Sequence, residues 1–91
     1  MSDVNTQFAQ AQQDVQQLPE RPGNLTLLRL YALFKQATEG DVHGDKPGFT
    51  DIVGKYKYKY EAWAALQGTT QETARQQYVE LVESLKSGAT S

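Results

Sequence analysis

The chain has 91 residues, 38% of them hydrophobic, a formal net charge of −2 and no cysteine. That describes one small domain, apolar enough to fold, and it excludes a disulfide framework, a thiolate zinc site and a cysteine nucleophile. One histidine, His43, and four serines, Ser2, Ser84, Ser87 and Ser91, supply little for a metal cluster or a nucleophile–base pair, so a binding module is favoured over an enzyme.

No stretch approaches the roughly 20 apolar residues of a membrane span, so no stable membrane insertion is expected. Residues 1–6 have neither a basic nor an apolar leader segment, so no secretory signal is expected and a cytoplasmic location follows. The whole of 1–91 is expected to be a single domain with its core at about 3–87 and a frayed end at 88–91.

The three prolines, Pro19, Pro22 and Pro47, all fall between periodic segments. Over residues 3–18, Val4, Phe8, Ala11, Val15 and Leu18 recur in steps of four and three, which predicts a helix capped by Asp3 and ended by Pro19. The glutamines among them form its solvated face. A linker at 20–23 leads to Asn24, a good N-cap, and to a second helix over residues 25–38. With Leu27, Leu28, Leu30, Tyr31, Leu33, Phe34 and Ala37, it is apolar nearly all round and is predicted to be central. Gly40 offers its stop.

Residues 39–51 form an unusually long connection. Its Asp41-x-His43-x-Asp45 spacing invites a metal reading, but Ile52 stands where a calcium loop needs glutamate, and a turn-rich loop fits better. Thr50 or Asp51 caps a third helix that carries Tyr56, Tyr60, Trp63 and Leu66 on one face and ends at Gly68. Thr69-x-x-Glu72 has the form of a capping box, and the last helix presents Ala74, Tyr78, Leu81, Val82 and Leu85 before Gly88. The chain is predicted to be all-α.

Lys55-Tyr56-Lys57-Tyr58-Lys59-Tyr60 alternates as a strand would, yet no partner strand is visible. On a helix, Lys55 and Lys59 share a face while Tyr56 and Tyr60 continue the core stripe. Residues 29–59 hold six basic and four acidic residues, whereas both flanking segments are net acidic. A local cationic site on an acidic body suits a compact anionic ligand and suits a long nucleic-acid backbone poorly, so no nucleic-acid partner is expected. The plain alternative is a solvated lysine run with its tyrosines in the core.

Tyr31-x-x-Phe34-Lys35-Gln36-Ala37-Thr38-x-Gly40-Asp41, with Lys46-Pro47-Gly48 after it, resembles the signature of the acyl-CoA-binding protein family. Gly54-Lys55, Lys59-Tyr60-Glu61-Ala62-Trp63, Leu66 and Gly68-Thr69 resemble its third helix and exit turn, and Ala74 and Tyr78 fit its fourth; Phe8, Ala11, Val15 and Leu18 match the first more loosely. The resemblance runs from about residue 6 to 86. It implies a four-helix up-down-down-up bundle, with a long loop between the second and third helices. Such a bundle binds long-chain acyl-CoA as carrier and buffer, without a reaction or a cofactor.

By the same resemblance, Tyr31, Phe34, Lys35, Lys59 and Tyr78 would hold the adenine and 3′-phosphate, and Leu27 and Leu28 the acyl chain. Phe34 stands where many members have tyrosine, and Gln16 where some have lysine. The lysine motif is two residues longer than usual: alignment from Gly54 selects Lys55 and Lys57, alignment from Trp63 selects Lys57 and Lys59. Trp63 sets the register of the packed face, which favours Lys59, with Lys57 next. Nothing in the sequence calls for an oligomer, so a monomer is expected, in transient contact with enzymes that use acyl-CoA. The competing readings are a helical adaptor without a small ligand and, less favoured, an enzyme drawing carboxylates from Glu61, Glu72, Glu80 or Glu83.

Overall fold

The computed structural model describes residues 3–43 and 55–88, without the side chains of Lys55 and Tyr56. These residues form four α-helices, α1 (Val4–Gln16), α2 (Asn24–Glu39), α3 (Lys55–Ala64) and α4 (Gln71–Lys86), with no strand among them. The all-α expectation therefore holds, and the lysine–tyrosine block is helical. The expected third-helix caps Thr50 and Asp51, and Asp45 of the histidine motif, lie outside the described residues.

Local chemistry explains the helix ends. Asp3 caps α1 as expected, its carboxylate accepting the Thr6 N–H at 2.8 Å. The helix stops at Gln16, ahead of Pro19, where the Gln17 N–H turns back to the Asp14 carbonyl at 3.0 Å. Leu18, expected as the last residue of the stripe, is thus beyond the helix. Gly23, not Asn24, occupies the N-cap of α2, because the Gly23 carbonyl already accepts the first helical N–H, from Leu27, at 2.9 Å. The capping box is displaced likewise. Thr70 rather than Thr69 caps α4, its hydroxyl accepting the Thr73 N–H at 3.1 Å. The Thr69 carbonyl is engaged elsewhere, by Gln36 at 2.7 Å, and Glu72 is left in the first turn facing the positive end of the helix.

One cluster makes the main core: Phe8 and Ala11 of α1, Leu30, Leu33 and Ala37 of α2, and Ala74, Tyr78 and Val82 of α4. Helix α4 packs on α1 and α2, while α3 packs on α2. Helix α2 is central, though not apolar all round: Thr26 and Gln36 are buried with its leucines, and Leu25 is 78% exposed.

A second set of contacts fastens α3. Trp63 is buried, and its indole N–H donates to the Gly40 carbonyl at 2.8 Å. Gly40 sits at φ 80°, a left-handed backbone that favours glycine, and so ends α2 where that carbonyl is available. One Asp41 carboxylate oxygen accepts both the Gly68 N–H at 2.8 Å and the Gln36 amide at 2.9 Å. The end of α2 and the turn between α3 and α4 are thereby tied together.

The Gly68 N–H, and then the Gln36 amide, hold the Asp41 carboxyl below its ordinary range. A depressed carboxylate stabilises the fold above its unfolded-state pKa and loses that contribution as pH falls through the folded one. The thermal midpoint should therefore drop below about pH 4. Asp41→Asn, which keeps an acceptor but does not titrate, should show a shallower acid slope in a pH series of melts. An unchanged slope would remove Asp41 from the acid response, leaving Asp3, Asp14 and Glu39, whose pKa values are also lowered.

Candidate functional site

Residues of the segment between α1 and α2 join residues of α2 in lining a concavity with two compartments. The first, about 520 Å³, is walled by Val15, Leu27, Leu30, Tyr31, Phe34 and Tyr78, with Gln16, Glu20 and Arg21 among its polar residues. The second, about 590 Å³, lies towards α3 and is lined by Arg21, Asn24, Leu27, Leu28, Tyr31, Tyr58 and Lys59. Arg21, Leu27 and Tyr31 line both, so the compartments form one groove.

The aromatic wall is braced from the core. Phe8 of α1 stacks on Phe34 at 6.1 Å between ring centroids and meets Tyr78 edge-on at 5.1 Å. Phe34 therefore keeps the aromatic face expected of it, held by packing rather than by a hydroxyl. Burial pushes the Tyr78 phenol above its usual pKa, so it remains a neutral hydrogen-bonding group at physiological pH. The Lys59 ammonium lies 5.2 Å from the Tyr31 ring centroid, a cation over an aromatic face beside the second compartment.

Six of the eight candidate residues thus meet in the groove: Leu27, Leu28, Tyr31, Phe34, Lys59 and Tyr78. Lys57, exposed on α3, lines neither compartment, and neither does Lys35. The Lys35 ammonium stands 4.9 Å from the Trp63 ring centroid and is paired with Glu39. Glu39 also bonds His43 at 3.0 Å, and the His43 ring rests edge-on against Trp63. The Lys35 bond is the main reason the Glu39 carboxyl is held low. Sequence reasoning missed Arg21, taken there as linker, and did not assign Tyr58 to the site. The one available signal for Arg21 was a lone cation in a turn bracketed by Pro19 and Pro22.

Among the described residues no group of histidine and carboxylate side chains is placed to hold a metal ion, and no helix is long and apolar enough to cross a membrane. The groove offers apolar and aromatic surface under cationic side chains, which suits a ligand that is part hydrocarbon and part anion.

The model of the family described as acyl CoA binding protein matches residues 5–82. The acyl-CoA-binding protein of Saccharomyces cerevisiae is 44% identical over 82 residues, covering 90% of this chain and 92% of the yeast protein. A Drosophila melanogaster acyl-CoA-binding protein homolog is 45% identical over the same length, covering 90% and 93%. Enoyl-CoA delta isomerase 2 of Rattus norvegicus is 51% identical over 82 residues, but there this chain spans only 20% of the relative. Among solved structures, Oryza sativa acyl-CoA-binding protein 2 superposes with a TM-score of 0.84 at 34% identity, covering 98% of this chain and all of that one. With a family model spanning most of its length and relatives matched nearly end to end, the chain belongs to the acyl-CoA-binding protein family.

Proposed function

We propose that this protein binds long-chain acyl-CoA esters and carries or buffers them without chemical conversion. The observation that carries the reading is the groove itself, whose lining combines apolar and aromatic residues with Arg21 and Lys59. Tyr31, Phe34 and Tyr78 offer ring faces and a hydroxyl to the adenine, and Lys59 offers charge to the 3′-phosphate. Leu27 and Leu28 offer apolar surface to the acyl chain. Lys35 lies one helical turn beyond Tyr31 and reaches the phosphate by exchanging its Glu39 partner. The near end-to-end match to the yeast and fly proteins supports a binding role; the match to the rat isomerase covers only a fifth of that protein. The same reading makes the protein a cytoplasmic monomer that meets acyl-CoA-using enzymes transiently.

Titration with palmitoyl-CoA, free CoA and free palmitate, read by heat or Trp63 fluorescence, tests this. One-to-one binding of palmitoyl-CoA, with far weaker binding of either fragment, is expected, because neither fragment fills both parts of the groove. Equal affinity for palmitate and palmitoyl-CoA would overturn it. Within the lysine block, Lys59→Ala should weaken palmitoyl-CoA by roughly fivefold or more, as removing a charge from a phosphate contact does. Lys57→Ala should cost less, and the opposite order would transfer the phosphate role to Lys57.

A further inference from the structure

Among the described residues Arg21 holds a position no other cation shares: it lines both compartments of the groove, and it is the only cationic one of them lining the first. Among the described residues it has no ion-pair partner, whereas Lys35 is engaged by Glu39 and Trp63 and Lys59 lies over Tyr31. Its backbone is restricted from both sides. Pro19 fixes one φ angle two residues earlier, and Pro22, which also lines the first compartment, confines Arg21 to extended conformations. Less conformational freedom is therefore lost when the guanidinium is held against a ligand. Helix α2 begins three residues later with no acidic residue in its first turn, and Glu20 is the one acidic side chain among the described residues lining the first compartment.

We infer that Arg21 reads the diphosphate of the CoA ester, the anionic link between the adenosine end and the acyl-bearing arm. The proposal rests on the acyl-CoA reading above. Of the ligand's two anionic groups, the 3′-phosphate is assigned above to Lys59, which lines only the second compartment, and this leaves the diphosphate for Arg21, which lines both. A guanidinium presents a planar fork of donors that spans two phosphate oxygens, which a lysine ammonium does not.

The test is calorimetric titration of the whole chain and its Arg21→Ala and Arg21→Lys variants with palmitoyl-CoA, 3′-dephospho-palmitoyl-CoA and S-palmitoyl pantetheine. Arg21→Ala should weaken the first two by the same factor, about tenfold, and leave the pantetheine thioester, which lacks the diphosphate, unchanged. Arg21→Lys should recover part of the loss. The exposed Arg29, which lines neither compartment, serves as control, and Arg29→Ala should have little effect. A penalty that vanishes with the dephospho ester would assign Arg21 to the 3′-phosphate and overturn the proposal. An equal penalty on the pantetheine thioester, or none on any ligand, would overturn it as well. If the unaltered chain bound none of the three, the acyl-CoA reading itself would fall, a result distinct from an Arg21-specific failure.

Discussion

Trp63→Ala should lower the unfolding free energy by about 3–5 kcal/mol, the range for deleting a large buried aromatic side chain. The ring is 6% exposed, yet it lies outside the main cluster shared by α1, α2 and α4. It is the one buried residue among the described side chains of α3, a helix that packs on α2. Losing it removes the apolar contact, leaves the Gly40 carbonyl without its 2.8 Å donor and strips Lys35 and His43 of the ring they rest on. Trp63→Phe separates these contributions. It keeps most of the buried area and an aromatic face while losing the N–H, so it should cost about 1–2 kcal/mol. Urea unfolding followed by circular dichroism measures both. A loss below about 1 kcal/mol for the alanine variant would show that α3 is held chiefly by other contacts.

Much of this fold was legible because apolar spacing is a direct record of which helix face is buried. Phe8 and Ala11, then Ala74, Tyr78 and Val82, were expected on their inner faces and are there. What spacing does not encode is a polar side chain buried for its hydrogen bonds. Gln36 is fully buried, and its amide joins Asp41 and Thr69, residues 5 and 33 positions away. No local periodicity marks such a residue, since the partners that make its burial tolerable come together only in the folded chain. The cap at Thr70 was missed for the same reason: Thr69 and Thr70 are equivalent as local signals, and the distant Gln36 amide takes the Thr69 carbonyl.

The candidate site divides along a similar line. Tyr31, Phe34, Lys59 and Tyr78 were named from ordered motifs, and the structure gathers all four in one groove with Leu27 and Leu28. The lysine block was harder, because alternating Lys and Tyr carries no period that distinguishes one lysine from the next. Helical geometry does distinguish them: Lys59 lies over Tyr31, and Lys57 is exposed away from the groove. Lys35 differs in a way the sequence did not suggest. Glu39, one turn further along α2, engages its ammonium before any ligand does. Arg21 escaped notice because turn composition says that a chain reverses without saying what the reversal covers.

Affinity should rise steeply with acyl-chain length and then level off. Burying a methylene contributes about 0.8 kcal/mol, close to fourfold in affinity, before ordering costs. The eight methylenes that separate octanoyl-CoA from palmitoyl-CoA therefore carry up to about 6 kcal/mol if all are buried. The slope per methylene depends only on how much of the chain the apolar wall covers, whereas the head group sets a constant offset. Variants should separate the two. Leu28→Ala, in the second compartment, should reduce the slope, while Lys59→Ala should move every chain length by the same factor. Calorimetry across even-numbered acyl-CoA esters gives both quantities, and the length at which the slope breaks measures the reach of the groove. Equal affinity for octanoyl- and palmitoyl-CoA would mean that the chain lies in solvent beyond its first carbons, and Leu27 and Leu28 would then lose their proposed role. A slope unchanged by Leu28→Ala would move the acyl path from the second compartment to the first, where Val15, Leu27 and Leu30 supply the alternative apolar wall.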